Sequence, residues 1–413
     1  MASRAPSFGH LARRAALGFL GLQAALVAGL TATDAWRKRI RPRHVSFPRT
    51  EPAALEVGDS VATIYAYGTV LYDDMIAAIE GAQERVLFES FIVKGDEVGE
   101  RFKAALIAAA RRGVEVFVIY DGFANLVVRR SFFAFPPPVN VVRYPTLKLG
   151  MLAFDLRKSG RDHRKLLVVD GEVGFVGGYN IGSAYATKWR DTHLRVAGPS
   201  AWDLENAFVD FWNQHRAPGQ PALPEQGSPL WEPHVRIHRN VPSQLIYPIR
   251  GMYLEAIDRA RERILITQPY FIPDAELLRA LLGAARRGAR VQVLVPAASN
   301  HVVTDWLSRG LYTALLSGGV EIWRFQQAMI HAKTMTIDGQ WSTIGTANID
   351  RVSLTGNYEI NVELYDAGVA GQLEHVFETD LTNATRLTLA DWERRSDAAR
   401  LTERILAPLR PLL

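Results

Sequence analysis

The sequence predicts an α/β protein made of two similar halves that follow an N-terminal apolar helix. Three observations lead to this prediction: an uncharged apolar run near the N-terminus, a pattern of helices and strands that occurs twice, and a motif of His, Lys and Asp that also occurs twice. The 413 residues, of which 48% are hydrophobic, are enough for two domains or for one large duplicated domain.

Residues 15–33 form the apolar run and carry no charge. An α-helix of about this length crosses the roughly 30 Å hydrocarbon core of a bilayer. Arginine and lysine flank the run and are more numerous after it than before it, which favours a body on the cytoplasmic side. We therefore expect residues 1–45 to be a single-pass anchor in the cell (inner) membrane. The alternative is a cleaved signal peptide, but no convincing small-x-small cleavage site precedes the basic stretch.

The composition limits the chemistry of the protein. The chain has no cysteine, which excludes disulfides, thiol nucleophiles and cysteine-bound metals. Its net charge of +5 and pI near 9.4 favour anionic partners such as nucleic acid, a phospholipid surface or phosphorylated small molecules, although an excess of this size discriminates weakly.

The body of the chain contains an internal repeat. Residues 78–93 resemble residues 256–272, and each stretch predicts the end of an amphipathic helix followed by a strand. Each is followed by a helix that ends in Ala-Arg-Arg-Gly, where the glycine suits a C-cap and the arginines suit the negative end of the helix dipole. A buried strand comes next in both copies. Helices and strands that alternate in this way predict sheets covered by helices.

The repeat also predicts the domain boundaries. Residues 217–236 are rich in proline and indicate a linker between a first half at 55–216 and a second half at 237–382. The tail at 383–413 is expected to be helical, either packed on the domain or lying on a membrane. Residues 129–140 cluster aromatic and basic side chains, and we expect a loop with its aromatics packed beneath it, with contact to lipid as the alternative.

The doubled motif reads "HRKLLVVDG" in the first half and "HAKTMTIDG" in the second. Side chains alternate between the two faces of a strand, so His163 and Lys165 are expected to point the same way. A lone His-x-Lys says little, but glycine, asparagine and a carboxylate follow at equal spacing in both copies. The matched residues are His163, Lys165, Asp170, Gly177, Asn180 and Asp191 in the first half, and His331, Lys333, Asp338, Gly345, Asn348 and Glu359 in the second.

These residue types suit phosphoryl transfer. The lysines and asparagines supply donors for the non-bridging oxygens of a phosphodiester, where charge builds up in the transition state. One histidine can attack phosphorus and become a phosphohistidine, while the other transfers protons to and from the leaving and entering groups. We expect Asp191 and Glu359 to orient the imidazoles. Asp170 and Asp338 belong to the catalytic motifs, but their place before glycine suggests turn formers or supports rather than groups that touch substrate.

A metal site is the alternative interpretation of the same residues. His163, His331, Asp191 and Glu359 are residue types that bind divalent metals. Two lysines directed into the same pocket would repel such a cation, so we expect no metal and no other cofactor. The histidines that lack a counterpart in the other half are expected to be ordinary core or surface residues: His193, His215, His301 and His375.

The two motifs resemble those of the phospholipase D superfamily, and the chain is most similar to bacterial cardiolipin synthases. The similarity covers roughly residues 55–395 and includes the stretches "PYFIPD", "GTANIDRVSLTGNYE" and "WRDTHLRVAGP". It implies a duplicated α/β/α sandwich with one active site between the halves. It also implies metal-independent transfer of a phosphatidyl group from one phosphatidylglycerol to another, which gives cardiolipin and glycerol. The first-half histidine, His163, would be the nucleophile, and His331 the acid and base.

One departure and three alternatives accompany this resemblance. Relatives often have Asp-x-Arg-Ser after the second asparagine, whereas here Arg351 follows Asp350 directly. The alternatives are a phospholipase D that forms phosphatidic acid, a nuclease, and a lipid-binding scaffold without activity. The intact motifs disfavour a scaffold, and the anchor disfavours a nuclease. We expect phospholipid and membrane as partners, no nucleic acid, and no need for an oligomer because one chain supplies the whole site.

Overall fold

The computed structural model describes residues 8–40, 45–146, 160–228, 231 and 234–412. Parts of the predicted anchor, linker and tail therefore lie outside the described residues: 1–7, 41–44, 229–230, 232–233 and Leu413. The predicted N-terminal helix is α1, which runs from Phe8–Ile40 over 33 residues. Its segment Ala16–Arg37 is long and apolar enough to cross a membrane, judged by length and composition.

The first half contains an eight-stranded sheet in the order β1-β2-β9-β7-β6-β3-β4-β5. Strands β3, β4 and β5 run parallel, and the remaining pairs are antiparallel. The strands are β1 (Ala54–Val57), β2 (Ser60–Tyr65), β3 (Arg85–Ser90), β4 (Glu115–Asp121), β5 (Asn140–Tyr144), β6 (Lys165–Val169), β7 (Val173–Gly177) and β9 (His193–Ala197).

The second half repeats this arrangement in the order β10-β17-β16-β15-β11-β12-β13-β18. Strands β11, β12 and β13 are its parallel trio. The strands are β10 (Val235–Asn240), β11 (Arg263–Thr267), β12 (Arg290–Pro296), β13 (Glu321–Phe325), β15 (Thr334–Ile337), β16 (Trp341–Gly345), β17 (Glu359–Tyr365) and β18 (Ala384–Leu387). A short parallel pair links the halves, formed by β8 (Trp189–Arg190) and β14 (Met329–Ile330).

Helices connect the strands in both halves, as the sequence predicts. They are α2 (Gly68–Gly81), α3 (Glu97–Arg111), α4 (Ser183–Lys188), α5 (Ala201–His215), α6 (Pro248–Arg259), α7 (Ala275–Arg286), α8 (Val302–Arg309), α9 (Tyr312–Ser317), α10 (Arg351–Thr355), α11 (Ala367–Leu381), α12 (Leu389–Glu393) and α13 (Asp397–Leu406). The equivalent helices α3 and α7 both begin at an aspartate cap, since the side chains of Asp96 and Asp274 accept backbone N–H bonds from the first turn.

One buried apolar cluster is shared by the two halves, and each half also has a cluster of its own. Phe208 and Trp212 of α5 pack in the same buried cluster as Leu194 of β9 and as Ile360 and Val362 of β17. Burying these side chains removes apolar surface of both halves from water together, so neither half keeps its core intact without the other.

Two strands of the second sheet lie at the predicted domain boundaries. The tail at 383–413 does not begin as a helix, because β18 pairs with β13 and adds a strand to the second sheet. Leu387 of β18 is buried and pairs with Ile322, while Thr385 and Arg386 are exposed at the edge of the sheet. The second sheet also begins earlier than 237, since β10 starts at Val235, two residues after the last proline of the linker.

Asp170 and Asp338 hold equivalent turns at the far ends of β6 and β15. The carboxylate of Asp338 accepts three backbone N–H bonds, from Arg261, Glu262 and Arg263, at 2.8–2.9 Å. Asp170 does the same for residues 83–85. Both residues have a positive φ, of 52° and 53°, which aspartate tolerates better than most residues. The sequence-based suggestion of a turn former agrees with this geometry.

Asp338→Ala is expected to lower the free energy of unfolding by about 2–3 kcal/mol. The change removes the acceptor of three backbone N–H groups and puts a less suitable residue at positive φ. Denaturant unfolding measures the effect, and Glu172→Ala, an exposed residue in the turn that Asp170 begins, is the control. A loss no larger than that of the control would contradict the structural role.

Candidate active site

The motif histidines and lysines lie where the antiparallel strands β6 and β15 begin. Because β6 is antiparallel to β3, Lys165 pairs with Ser90 at the carboxyl end of β3. Lys165 and Lys333 are 2% and 0% exposed. Arg164 points to the other face, as strand alternation predicts, and forms a buried ion pair with Glu89 at 2.6 Å. The motif is thus presented at the edge of the sheets where the parallel strands end.

Each histidine is oriented by a carboxylate from the opposite half. His163 Nδ1 lies 2.9 Å from Glu359 Oε2, and His331 Nδ1 lies 2.6 Å from Asp191 Oδ2. The sequence predicted these two carboxylates as the orienting groups, and the structure adds that the pairs cross between the halves. A single site therefore contains both histidines.

Backbone contacts follow the same crossed pattern. His163 N donates to Tyr358 O at 3.0 Å, and His331 N donates to Arg190 O at 2.6 Å. Tyr358 and Arg190 are the residues that precede the two orienting carboxylates. The position of each imidazole is consequently set by both the main chain and the side chain of the other half.

The crossed contacts determine which nitrogen is available for chemistry. A carboxylate at Nδ1 favours the tautomer with the proton on Nδ1, because the carboxylate is an acceptor. Nε2 of the neutral ring then carries the lone pair. In either histidine, Nε2 is the atom that can attack phosphorus or exchange a proton with substrate.

Burial controls the charges of the site. It lowers the pKa of His331 to about 3 and also lowers the pKa of His163, where Glu359 opposes the effect. Burial likewise lowers the pKa of Lys165 to about 7 and that of Lys333 to about 8. For Asp191, burial acts to raise the pKa, but Lys333 and His331 outweigh it and the pKa is lowered. A phosphodiester beside the lysines would favour their charged forms.

The two motif asparagines have different partners. Asn180 Oδ1 accepts from Ile92 N at 3.1 Å, which leaves its amino group as the end that can donate to a phosphate. Asn348 Nδ2 donates to Ser353 Oγ at 3.3 Å, while its buried Oδ1 has no hydrogen-bond partner among the described residues. The two halves therefore do not present their amides in the same way.

The structure does not bring Asp170 and Asp338 to the histidines. Each aspartate follows the last residue of its strand, and the motif lysine is the first residue of that strand or the residue before it. At 3.3 Å per residue, the aspartate is about 15 Å from the lysine end of the strand. Their grouping with the catalytic residues is corrected accordingly, because their carboxylates are occupied by the turns described above. Arg351 also points elsewhere, and its Nη1 donates to Pro411 O at 2.8 Å.

Aromatic residues that sequence reasoning did not assign to the site surround the imidazoles. The ring centroid of Phe91 lies 4.7 Å from that of His163, and Trp189 lies 5.0 Å from His331. Tyr270, within the stretch "PYFIPD", lies 6.0 Å from His331. These rings limit access of water to the two histidines.

Two further contacts support the orienting carboxylates and their neighbours, and the sequence did not predict them. Thr346 Oγ1 donates to Glu359 Oε2 at 2.6 Å, and Arg190 forms a buried ion pair with Asp380 at 2.7 Å. At Gly178, which matches Thr346 in the repeat, a Cβ would lie 2.0 Å from Asp191 Oδ1. Comparison of the motif copies residue by residue would have pointed to positions 178 and 346, but not to Asp380.

His193 is a buried residue behind the site, in agreement with its interpretation as a core histidine. It is 1% exposed, and neither ring nitrogen has a hydrogen-bond partner among the described residues. Burial lowers its pKa to about 3. Asn361 takes the corresponding place in the second half, since His193 pairs with Gly177 and Asn361 with Gly345.

Within the described ranges, no group of three or more His, Cys, Asp or Glu side chains is placed to hold a metal ion.

The family model and similar sequences place the chain in the same family. The family model described as "Cardiolipin synthase, PLD-like domain" matches residues 75–212 and 253–381. A cardiolipin synthase of Staphylococcus aureus is 32% identical over 376 residues, which cover 87% of this chain and 75% of the relative. The major cardiolipin synthase of Bacillus subtilis is 31% identical over 369 residues, or 86% of this chain and 76% of the relative.

Solved structures share the fold. A phosphatidylserine synthase of Haemophilus influenzae superposes with a TM-score of 0.66 at 14% identity, covering 89% of this chain and 95% of the other. A polyphosphate kinase of Porphyromonas gingivalis gives a TM-score of 0.53 at 14% identity, covering 91% of this chain and 56% of the other. At such identities the likeness concerns the fold alone, and it agrees with the predicted duplicated α/β/α architecture.

His193→Asn is expected to reduce the acid sensitivity of the fold. A histidine whose pKa is lowered by folding takes up its proton in the unfolded chain first, so the free energy of unfolding falls as the pH drops below about 6.5. Between pH 7.5 and 5 the variant should lose about 2 kcal/mol less than the parent protein. Denaturant unfolding at both pH values measures this, with exposed His375→Asn as the control. Equal pH dependence in the parent and in His193→Asn would contradict the assignment.

Proposed function

Because the chain belongs to the cardiolipin synthase family of the phospholipase D superfamily, we propose that this phosphatidyltransferase joins two phosphatidylglycerol molecules into cardiolipin at a membrane. The observation that carries the proposal is the crossed site, in which two carboxylate-held histidines and two buried lysines are gathered around one place. This arrangement suits a phosphodiester that exchanges one alcohol for another.

In the first step, Nε2 of His163 attacks the phosphorus of one phosphatidylglycerol. The N–P bond forms as the bond from phosphorus to the glycerol oxygen breaks, and His331 supplies the proton to that oxygen. Glu359 and Asp191 stabilise the positive charge on the two rings through Nδ1. A bound phosphodiester would favour the protonated form of His331, which can then act as the acid.

In the second step, His331 takes the proton from a hydroxyl of a second phosphatidylglycerol. That oxygen attacks phosphorus, the N–P bond breaks, and neutral His163 is restored. Lys165, Lys333 and the amide of Asn180 are the donors for the non-bridging oxygens in both steps. The aromatic side chains around the histidines favour an alcohol over water as the acceptor, because they reduce the water in the site.

Membrane attachment is part of the proposal. The segment Ala16–Arg37 has the length and composition of a single span, and the larger number of basic residues after the apolar run favours a body on the cytoplasmic side. A phospholipid substrate would then be available in the same membrane that holds the enzyme.

Product analysis tests the activity. Full-length protein in detergent, given phosphatidylglycerol alone in the presence of EDTA, is expected to form cardiolipin and glycerol, identified by mass spectrometry. Phosphatidic acid without cardiolipin would make the protein a hydrolase on the same site. Activity that EDTA abolishes and one divalent metal restores would contradict the metal-independent route.

Replacement of either histidine tests whether both histidines are needed for turnover. His163→Ala and His331→Ala are each expected to lower the turnover rate by about 10³-fold or more, since each removes a group needed in both steps. Circular dichroism and the melting temperature serve as the folding control.

A substrate that needs no acid separates the two roles. With an aryl ester of phosphatidic acid, whose leaving group departs without a proton, His331→Ala should release about one equivalent of aryl alcohol per chain and retain the phosphatidyl group on His163. His163→Ala should show no burst. Peptide mass spectrometry locates the adduct, and a burst only in His163→Ala would assign the nucleophile to His331 instead.

A further inference from the structure

Outside α1, the edge of the molecule that holds the active site carries most of the large apolar side chains that are exposed among the described residues. Outside α1, six of the eleven exposed large hydrophobic residues among those described lie on segments that leave this edge. Their exposed fractions run from 37% to 84%. These six residues, called the apolar rim below, are Phe123, Leu126, Val127, Leu245, Ile246 and Val352.

The first part of the rim is rigidly attached beside His163. It follows β4, and Asn125 at its base donates to Phe91 O and Asp121 O and accepts from Val93 N, all within 2.8–2.9 Å. Phe91 in turn contacts the ring of His163. These hydrogen bonds tie the segment that carries the exposed side chains of Leu126 and Val127 to the loop whose Phe91 contacts His163.

The second part of the rim follows β10 and leaves the same edge. Leu245 and Ile246 belong to a tight turn at the end of β10, closed by mutual backbone bonds between Val241 and Ile246. The preceding residue of β10, Asn240, pairs with Glu359, the partner of His163. Leu245 has a φ of 58°, an unfavourable value for leucine, and its side chain is still exposed. A strained backbone that displays a leucine to solvent indicates a use for that side chain.

The apolar helix α1 docks on the same edge. Leu26, Val27 and Leu30 of α1 pack in a cluster with Leu307 of α8 and with Ile272. Ser308 of α8 donates to the carbonyl of Phe271, which lies just beyond the carboxyl end of β11. α1 and the apolar rim therefore lie at the same edge of the molecule.

The charge around the apolar rim favours a lipid surface over a second copy of the chain as the partner of the rim. Residues 122–146, which include the first part of the rim, contain three arginines and no acidic residue. Arg129 and Arg130 follow Val127 closely, and both are exposed. Two such surfaces would repel each other, whereas apolar tips flanked by arginine suit a bilayer with anionic headgroups.

We propose that the apolar rim inserts into the surface of an anionic phospholipid bilayer and places the histidine site at the depth of the lipid phosphates. A phosphodiester then reaches His163 while its acyl chains stay in contact with the rim or the bilayer. This inference rests on the proposed function for its choice of phosphatidylglycerol as the anionic lipid, but the docking itself is measured without turnover.

Because the chain lacks cysteine, single labels report on depth directly. Full-length Val127→Cys and Leu245→Cys carry an environment-sensitive fluorophore, and Glu172→Cys, an exposed position at the opposite end of β6, is the control. In vesicles of phosphatidylglycerol and phosphatidylcholine, nitroxide-labelled lipids are expected to quench the first two labels and to leave the third unchanged. Equal emission at all three positions would overturn the proposal, and so would shielding that depends on protein concentration in detergent, which would indicate a second copy.

A second experiment tests the use of the rim. Leu126→Ser/Val127→Ser is expected to lower the initial rate on vesicles about tenfold, because two apolar side chains no longer enter the lipid. Its kcat/KM for dispersed short-chain phosphatidylglycerol should stay within about twofold of the parent value. Tyr365→Ser, at the opposite end of β17 from Glu359, is the control for loss of an exposed apolar side chain. Equal losses on both substrates would overturn the role of the rim. Quenching without cardiolipin formation would leave docking intact and refute only the proposed reaction.

Discussion

The contact between each histidine and a carboxylate of the opposite half is the constraint on which the rest of the structure depends. It requires that the start of β15 meets the residues after β8, and that the start of β6 meets the start of β17. Neither half alone contains an oriented histidine. The shared core around Trp212 and the short β8–β14 pair hold the halves at the required separation. Duplication within one chain thus supplies the complete site.

The cost of this arrangement is a concentration of buried charge. Lys165, Lys333 and Asp191 are all almost inaccessible to solvent, and burial lowers the pKa values of both lysines. Such groups contribute little to net stability unless each is paired, and removal of one partner leaves an uncompensated charge. The Arg190–Asp380 and Arg164–Glu89 ion pairs provide pairing just behind the site. Under the proposed function, an anionic phosphate would compensate the buried lysines, whose burial otherwise costs stability.

The halves are similar but not equivalent, and the differences lie next to the histidines. Thr346 supports Glu359 where the first half has Gly178, which allows Asp191 to approach the backbone closely. His193 stands where the second half has Asn361, and the two motif asparagines have different partners. Two chemically distinct environments fit a reaction in which one histidine forms a bond to phosphorus and the other moves protons.

The sequence by itself determined the duplicated α/β architecture, the apolar N-terminal helix and the identity of the histidines, lysines and carboxylates, because periodicity and matched spacing are local properties. The buried strand after His163 and the glycine-capped helices followed from the same patterns. The start of β10 and the edge strand β18 were decided by pairing with distant strands, which local patterns do not encode. The glycine after each aspartate suggested that Asp170 and Asp338 form turns, but only the tertiary structure shows that they bind the backbone of residues 83–85 and 261–263. Only the tertiary structure decided that the histidine–carboxylate pairs cross between the halves and that Leu245 and Val127 come to the same edge. The residues of each pair are more than a hundred positions apart in the sequence, and so are Leu245 and Val127. Their placement depends on how the two sheets pack.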